Sequence, residues 1–240
     1  MLRRFDAPIN AVVVGANGGI GQAVCDLFKN DPGIKQLFQL ARTPREGQIY
    51  CDLDHEDTIA EAARIIAEHG DVGLIINATG MLHDPARQIM PEKSFRHLNP
   101  ETMNAYFQAN CIGPALAAKY FLPLMPRRGR AVFAAVSARV GSIADNRAGG
   151  WHSYRAAKAG LNMMIRNFAH EMVFKNPDSI VIGLHPGTVE TSLSAPFRDM
   201  VKHDIFPPDQ AARQLLAVIG NVTPAESGHQ LDWKGEIIPG

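Results

Sequence analysis

The sequence predicts an α/β protein built on a single doubly wound parallel sheet with helices on both faces. Short apolar runs alternate with segments of helical periodicity along all 240 residues. The runs are apolar at nearly every position, which is typical of strands buried on both faces. No repeat, charge block or low-complexity linker divides the chain. We therefore expect one domain over residues 1–240, with helical crossovers between parallel strands.

The strands are predicted from runs of four to six apolar residues, which are too short for helices. The first run is Ile9 to Val14, which a glycine-rich segment follows at once. The later runs are also mostly apolar and are four to six residues long. The predicted strands are residues 9–14, 37–40, 72–76, 131–136 and 180–184, with 230–233 as a last edge strand.

The helices are predicted from apolar residues spaced i, i+3, i+4 and i+7, which is the spacing of one helical face. Residues 20–28 show this spacing directly after the first strand. Pro114 lies within the third helical segment and should kink it or mark a break, because proline cannot donate a backbone hydrogen bond. The predicted helices are residues 20–28, 59–66, 103–120, 154–172 and 211–219.

Composition argues against several classes of partner. Lysine plus arginine and aspartate plus glutamate number 24 each, so no net charge favours nucleic acid or a membrane surface. Cys25, Cys51 and Cys111 are odd in number and far apart, which predicts a reducing, cytoplasmic compartment. No apolar stretch reaches the roughly 18 residues that span a bilayer. The nine histidines form no metal-binding pattern, so we expect no metal.

The loop after the first strand predicts a dinucleotide site. It runs directly into the first helix, whose free N–H groups favour phosphate. Glycines there permit a tight turn and close approach of the backbone to a diphosphate. A merely flexible turn is the alternative. The expected binding residues are Gly15, Asn17, Gly19, Ile20 and Gly21.

The end of the second strand indicates which cofactor is bound. An acidic residue here would bind a ribose 2′-hydroxyl, but the chain has Arg42, with Arg45 close by. Arg42 is placed to pair with a 2′-phosphate, so the sequence predicts NADP(H) in preference to NAD(H). The alternative is a solvated surface arginine.

Three residues form a candidate catalytic group. Tyr154 and Lys158 are four apart on a predicted helix and therefore share one face. The lysine ammonium, together with an oxidised nicotinamide, is expected to lower the pKa of the phenol. Ser137 ends the preceding strand, so its hydroxyl can reach the same cleft. Taken alone, Tyr-x-x-x-Lys is also compatible with an ordinary amphipathic helix start.

The glycine loop, Ser137 and the Tyr154-x-x-x-Lys158 motif follow one another along the chain. In type and order these motifs resemble those of the short-chain dehydrogenases/reductases, which have a Rossmann-like fold. The resemblance implies that Tyr154 is the acid/base, Ser137 orients the carbonyl, Lys158 holds the nicotinamide ribose and Asn110 anchors a water that relays protons. Val14, Thr79 and Ala157 depart from the usual pattern, but none of them removes a group that takes part in the chemistry. The further cofactor contacts that the resemblance implies are Asp52, Leu53, Asn77, Ala78, Gly80, Pro186, Gly187, Val189 and Thr191.

The glycine-rich segment from Gly141 to Trp151 is more specifically similar to the C-factor-like branch of that family. The expected activity is hydride transfer between the nicotinamide and a carbonyl or alcohol carbon of a small, partly apolar substrate. Residues 192–207 are expected to form a mobile lid, and long helices like those that pack between subunits predict a homodimer or homotetramer. The alternative hypothesis is a cofactor-binding signalling or regulatory protein with little turnover.

Overall fold

A computed structural model describes residue 5 and residues 8–200 and 204–240, and its centre is a seven-stranded, wholly parallel sheet. Its strands are β1 (Ile9–Val14), β2 (Ile34–Ala41), β3 (Ile49–Tyr50), β4 (Val72–Asn77), β5 (Ala131–Val136), β6 (Ser179–His185) and β9 (Gln230–Asp232). Two further strands, β7 (Thr188–Val189) and β8 (Ile205–Phe206), pair with each other outside it. The two-residue strands β3, β7 and β8 were not predicted, because two residues are too few to show a periodic pattern.

The strand order is β3-β2-β1-β4-β5-β6-β9, which confirms the predicted doubly wound topology. Successive crossovers run outward from β1 in one direction and then, from β4, in the other. In such sheets the crevice beyond the carboxyl ends of the strands, at this reversal, is where ligands bind. The predicted last strand is confirmed as β9, which ends the strand order beside β6 and forms a single antiparallel bridge, Leu231 to Ile237, on its other side.

The α-helices in the described part of the chain are α1 (Gly19–Phe28), α2 (Glu56–Ala67), α3 (Pro100–Phe107), α4 (Gly113–Phe121), α5 (His152–Lys175) and α6 (Pro208–Asn221). One apolar core lies between the sheet and α2, α4 and α5, and the other lies between the sheet and α1 and α6, so helices cover both faces. All six residues of β4 are buried, as the continuous apolar run predicted.

The break expected at Pro114 takes the form of a π turn. Residues Gln108–Ile112 join α3 to α4, and the Gly113 N–H donates to the Gln108 carbonyl five residues back. The extra residue widens the turn just before Pro114, whose ring would otherwise press on the Asn110 carbonyl. The chain therefore stays helical from residue 100 to residue 121.

The segment predicted as a lid is held at its two ends. Thr188 pairs with Ile205 and Val189 with Phe206, and a 3₁₀ turn spans Ala195–Met200. Residues 201–203 of the predicted lid lie outside the described residues. In the part of the chain that the structure describes, no helix is both long and apolar enough to cross a membrane.

Candidate active site

Two adjoining cavities open beyond the carboxyl ends of the central strands. One of about 550 Å³ extends from the glycine loop to Arg42, and the other, of about 320 Å³, contains Tyr154. They form one continuous cleft at the topological reversal, because several residues line both. The shared residues are Gly18, Ala78, Thr79, Gly80, Leu82, Ser192 and Leu193.

The glycine loop is packed too tightly for side chains. Gly15 has a φ of +83°, and a Cβ on Gly21 would lie 2.2 Å from the Gly15 carbonyl oxygen. Gly15, Gly19 and Ile20 line the cleft, whereas Asn17 and Gly21 do not. Asn17 instead holds the loop in place, donating to the Thr43 carbonyl at 2.8 Å. Of the five residues predicted to bind phosphate, these two therefore shape the turn.

Arg42 lies exposed on the wall of the larger cavity. It shows no hydrogen bond or ion pair with any described residue, so its charge is available to a ligand. Arg45 does not line the cavity and instead donates to Gln22 of α1 at 2.8 Å. Asp52 and Leu53 line the same cavity beside Arg42.

The turn after β4 is fixed by Asn77. Its side-chain oxygen accepts from the Thr79 N–H at 3.0 Å and from the Thr79 hydroxyl at 2.6 Å. Asn77 does not line the cleft, whereas Ala78, Thr79 and Gly80 do. Thr79, which departs from the family pattern, places its methyl group 2.9 Å from where a Gly15 Cβ would be.

Asn110 lies within the π turn and is fully buried. Its Oδ1 accepts from the Met81 N–H at 3.0 Å, and its Nδ2 donates to the carbonyls of Met81 at 2.8 Å and Tyr106 at 3.1 Å. Both Nδ2 hydrogens and one acceptor position of Oδ1 thus bind backbone groups, which fixes the segment after Gly80.

Ser137, Tyr154 and Lys158 come together in the smaller cavity, as predicted. Ser137 directly follows β5, and the other two side chains lie one turn apart near the start of α5. Lys158 Nζ donates to the Val136 carbonyl at 2.9 Å and lies 6.0 Å from the centre of the Tyr154 ring. All three side chains are buried.

Burial governs the protonation of this pair. It raises the pKa of the Tyr154 phenol above its usual value, and it lowers the pKa of the Lys158 ammonium to about 8. In the protein itself, desolvation therefore favours the neutral phenol. The lowered tyrosine pKa was predicted with an oxidised nicotinamide bound, and for that complex it stays a prediction.

Aromatic side chains form one wall of the smaller cavity. Trp151, with a left-handed φ of 51°, packs against Tyr154 at 6.2 Å and Phe197 at 5.2 Å between ring centres. His152, the other candidate for this pocket, begins α5 and does not line it. Across the cleft, the His83 ring nitrogen Nε2 lies 3.0 Å from the Ser192 carbonyl oxygen, so the two rims touch.

The turn after β6 supplies the remaining predicted contacts. Gly187 has a φ of +74°, and a Cβ there would lie 2.8 Å from the Phe206 ring. The methyl group of Thr191 lies 2.4 Å from where a Gly19 Cβ would be, so the turn packs on the glycine loop. Pro186, Gly187, Val189 and Thr191 all line the cavity. No group of three or more potential metal ligands assembles in the regions described.

Sequence reasoning missed the residues that support these groups. The buried Glu92 carboxylate accepts from the N–H of Ser153 at 3.2 Å and also from the Ser153 hydroxyl. These two bonds cap the start of α5. No local pattern marks Glu92. Asn162, which contacts Ser137, follows Lys158 by four residues and Tyr154 by eight. That spacing places it on the same helical face and could have identified it.

Comparison with known proteins agrees with this geometry. The sequence model of the short chain dehydrogenase family matches residues 10–202. The chain is 36% identical over 131 residues to a 1-hydroxy-2-glutathionyl-2-methyl-3-butene dehydrogenase of Rhodococcus sp., and this match covers 55% of each protein. It is 32% identical over 134 residues to the C-signal of Myxococcus xanthus, a match that covers 55% of this chain and 75% of C-signal.

The fold is shared with solved structures. An NADPH-bound carbonyl reductase from chicken fatty liver aligns over 98% of this chain and 100% of its own, with a TM-score of 0.82 and 22% identity. Only about half of the Rhodococcus protein is covered, but the family model spans most of this chain. The chain therefore belongs to the short-chain dehydrogenases, a family of nicotinamide-dependent oxidoreductases.

Proposed function

We propose that the protein is an NADP(H)-dependent carbonyl reductase in which Tyr154 is the acid/base. The observation that carries this proposal is a single cleft that contains Ser137, Tyr154 and Lys158 at one end and Arg42 at the other. Its two parts, of about 550 and 320 Å³, have volumes in the range of ligand and cofactor sites. The similarity to carbonyl reductases in fold supports the same activity.

The residues present fit a dinucleotide. The glycine loop leaves no room for side chains where backbone would meet a diphosphate. Arg42, without a partner among the described residues, would bind the 2′-phosphate, and Asp52 and Leu53 would contact the adenine. Lys158, Pro186, Gly187, Val189 and Thr191 would hold the nicotinamide end. When bound, the cofactor supplies or accepts the hydride.

Tyr154 is suited to donate a proton to a carbonyl oxygen. Burial raises its pKa, so the phenol carries its proton at neutral pH. The Ser137 hydroxyl, at the end of β5 in the same cavity, would polarise the carbonyl. Once the proton has left, the ammonium of Lys158 would stabilise the phenolate. Asn110 would hold the segment beside Lys158, and its main-chain carbonyl would anchor a water that returns the proton.

The substrate is proposed to be a small carbonyl or alcohol compound that is partly apolar. Trp151, Phe197, Leu82, Val140 and Leu193 line the cavity around Tyr154. Burial of such side chains against apolar ligand surface contributes about 25 cal/mol per Å². We further propose that residues 192–207 form the lid over this pocket, because Ser192, Leu193 and Phe197 are part of its wall.

The similarity to C-signal favours one alternative, a cofactor-binding signalling or regulatory protein with little turnover. Such a protein would need the nucleotide-binding part of the cleft. It would have no use for a buried tyrosine, lysine and serine in one cavity, so these residues favour the enzyme.

The test is turnover. Purified protein is mixed with NADPH and a panel of aldehydes, ketones and quinones, and cofactor oxidation is followed by absorbance. We expect reduction that Tyr154→Phe lowers by about 100-fold or more while NADPH affinity is kept. Tight cofactor binding with no turnover on any compound would favour the alternative instead.

A further inference from the structure

Two amide side chains connect Ser137 to the interior. The Ser137 hydroxyl donates to Oδ1 of Asn162 at 2.7 Å, and Nδ2 of Asn162 donates to Oε1 of Gln230 at 2.9 Å. Ser137 and Gln230 are 3% and 7% exposed. The chain of groups crosses the sheet above Gly183, where a Cβ would lie 3.5 Å from both amide side chains.

This arrangement points the serine proton away from the cleft. An amide oxygen can only accept, so Ser137 must donate to Asn162 rather than to a substrate. It also leaves Nε2 of Gln230 buried without a hydrogen-bond partner among the described residues. A buried donor without a partner is more costly and rarer than a carbonyl oxygen without one.

Turning both amides by half a rotation reverses the direction of every bond. The two ends of an amide are nearly equal in size, so both orientations fit the same space. Nε2 of Gln230 then donates to Asn162, and Nδ2 of Asn162 donates to the Ser137 oxygen. The serine hydrogen is released to point into the cleft.

We propose that Asn162 and Gln230 are positioning residues that form an amide relay, and that the relay sets whether Ser137 accepts or donates a hydrogen bond. The orientation that binds a carbonyl oxygen is the reversed one, because that oxygen needs a donor. This inference rests on the proposed function, since the relay has a role only if Ser137 meets a carbonyl.

Two substitutions lock the relay without changing its shape. Asn162→Asp presents only acceptors to Ser137, so the serine proton stays directed inward. Gln230→Glu presents only acceptors to Asn162, which keeps the Asn162 oxygen facing Ser137. We expect each to lower kcat for NADPH-dependent reduction of 4-nitrobenzaldehyde by about 100-fold, the lower end of the range found when a polarising donor is removed. The KM for NADPH should stay within about twofold.

The decisive measurement is a double-mutant cycle with Ser137→Ala. If Asn162 acts through Ser137, Asn162→Asp changes kcat by no more than about twofold once the serine is gone. If Asn162 matters only for folding or for the charge near Tyr154, the loss is the same in both backgrounds, and the relay is overturned. Asn167→Asp, at an exposed position of α5, is the matched control and should leave kcat unchanged.

A pH profile provides a second readout. In Gln230→Glu the new carboxyl regains a donor when protonated, and burial raises the pKa of such a group. The ratio of its kcat to the kcat of the wild-type protein should therefore rise as the pH falls, whereas a constant ratio would contradict the relay.

Absence of turnover in the wild-type protein would overturn the proposed function and the relay together. Turnover without coupling between Asn162 and Ser137 would overturn the relay alone.

Discussion

The Lys158 ammonium donates to the main-chain carbonyl of Val136 at 2.9 Å, which ties helix α5 to the strand that ends at Ser137. Together with the bond from Ser137 to Asn162, it holds the tyrosine-bearing helix against the serine-bearing strand. Because Lys158 is 2% exposed, its charge depends strongly on its surroundings. The protonation of Lys158 is therefore expected to be visible in the rate.

Reduction should weaken in alkaline solution. Burial lowers the pKa of Lys158 to about 8, so the charged form is present below that pH and is lost as the pH rises through it. Without the ammonium, the phenolate left after proton donation is not stabilised, and kcat should fall. Measurement of kcat between pH 6 and 10 tests this. Lys158→Met should lower kcat by about 100-fold or more and abolish the inflection, whereas Lys175→Met at the exposed end of α5 should do neither.

Arg42 should decide between the two nicotinamide cofactors. Loss of a charge-assisted bond to the 2′-phosphate is expected to raise the Kd for NADPH by about 10- to 150-fold in Arg42→Ala. The Kd for NADH should hardly change, since NADH lacks that phosphate. Titration by cofactor fluorescence measures both constants. Arg45→Ala is the matched control, because Arg45 contacts Gln22 outside the cavity. Equal loss for both cofactors would contradict the assignment.

Glu92 should stabilise the start of α5. In Glu92→Ala the N–H and hydroxyl of Ser153 lose their buried acceptor, which is expected to cost about 1–3 kcal/mol of unfolding free energy. Glu92→Gln keeps an acceptor oxygen and should cost less. Urea denaturation compares these variants with Glu171→Ala, which removes an exposed glutamate from the same helix. Similar midpoints for Glu92→Ala and Glu171→Ala would rule out the cap.

A second copy of the chain is expected to cover the outer face of α5. Met163 and Phe174 are 62% and 90% exposed on this helix. Exposure of large apolar side chains to water is unfavourable and often marks an interaction site. We propose that this face forms a homodimer or homotetramer interface. Met163→Glu should shift the mass measured by light scattering towards the monomer. Ile143 is 78% exposed and lies outside α5, so Ile143→Glu should leave the mass unchanged. An unchanged mass for Met163→Glu would contradict this interface.

The main elements and most of the site could be predicted because their signals are local. The run from Ile9 to Val14 matches β1 residue for residue, and the spacing of Tyr154 and Lys158 is enough to put them on one helical face. The glycine loop is local only in part, since a Cβ on Gly21 would meet the Gly15 carbonyl, whereas Gly15 and Gly19 pack against later turns. The two-residue strands and the shape of the break near Pro114 were beyond such reasoning.

By itself the sequence determined the doubly wound sheet, the order of the motifs and the choice of candidate reacting groups, because periodicity and short-range spacing specify which residues share a face. Only the tertiary structure decided what surrounds those groups. Glu92 reaches Ser153 from 61 residues away, and Gln230 reaches Asn162 from 68. Burial, which raises the pKa of Tyr154, is likewise a property of the packed molecule. Such contacts and desolvation depend on chain segments that meet only after folding.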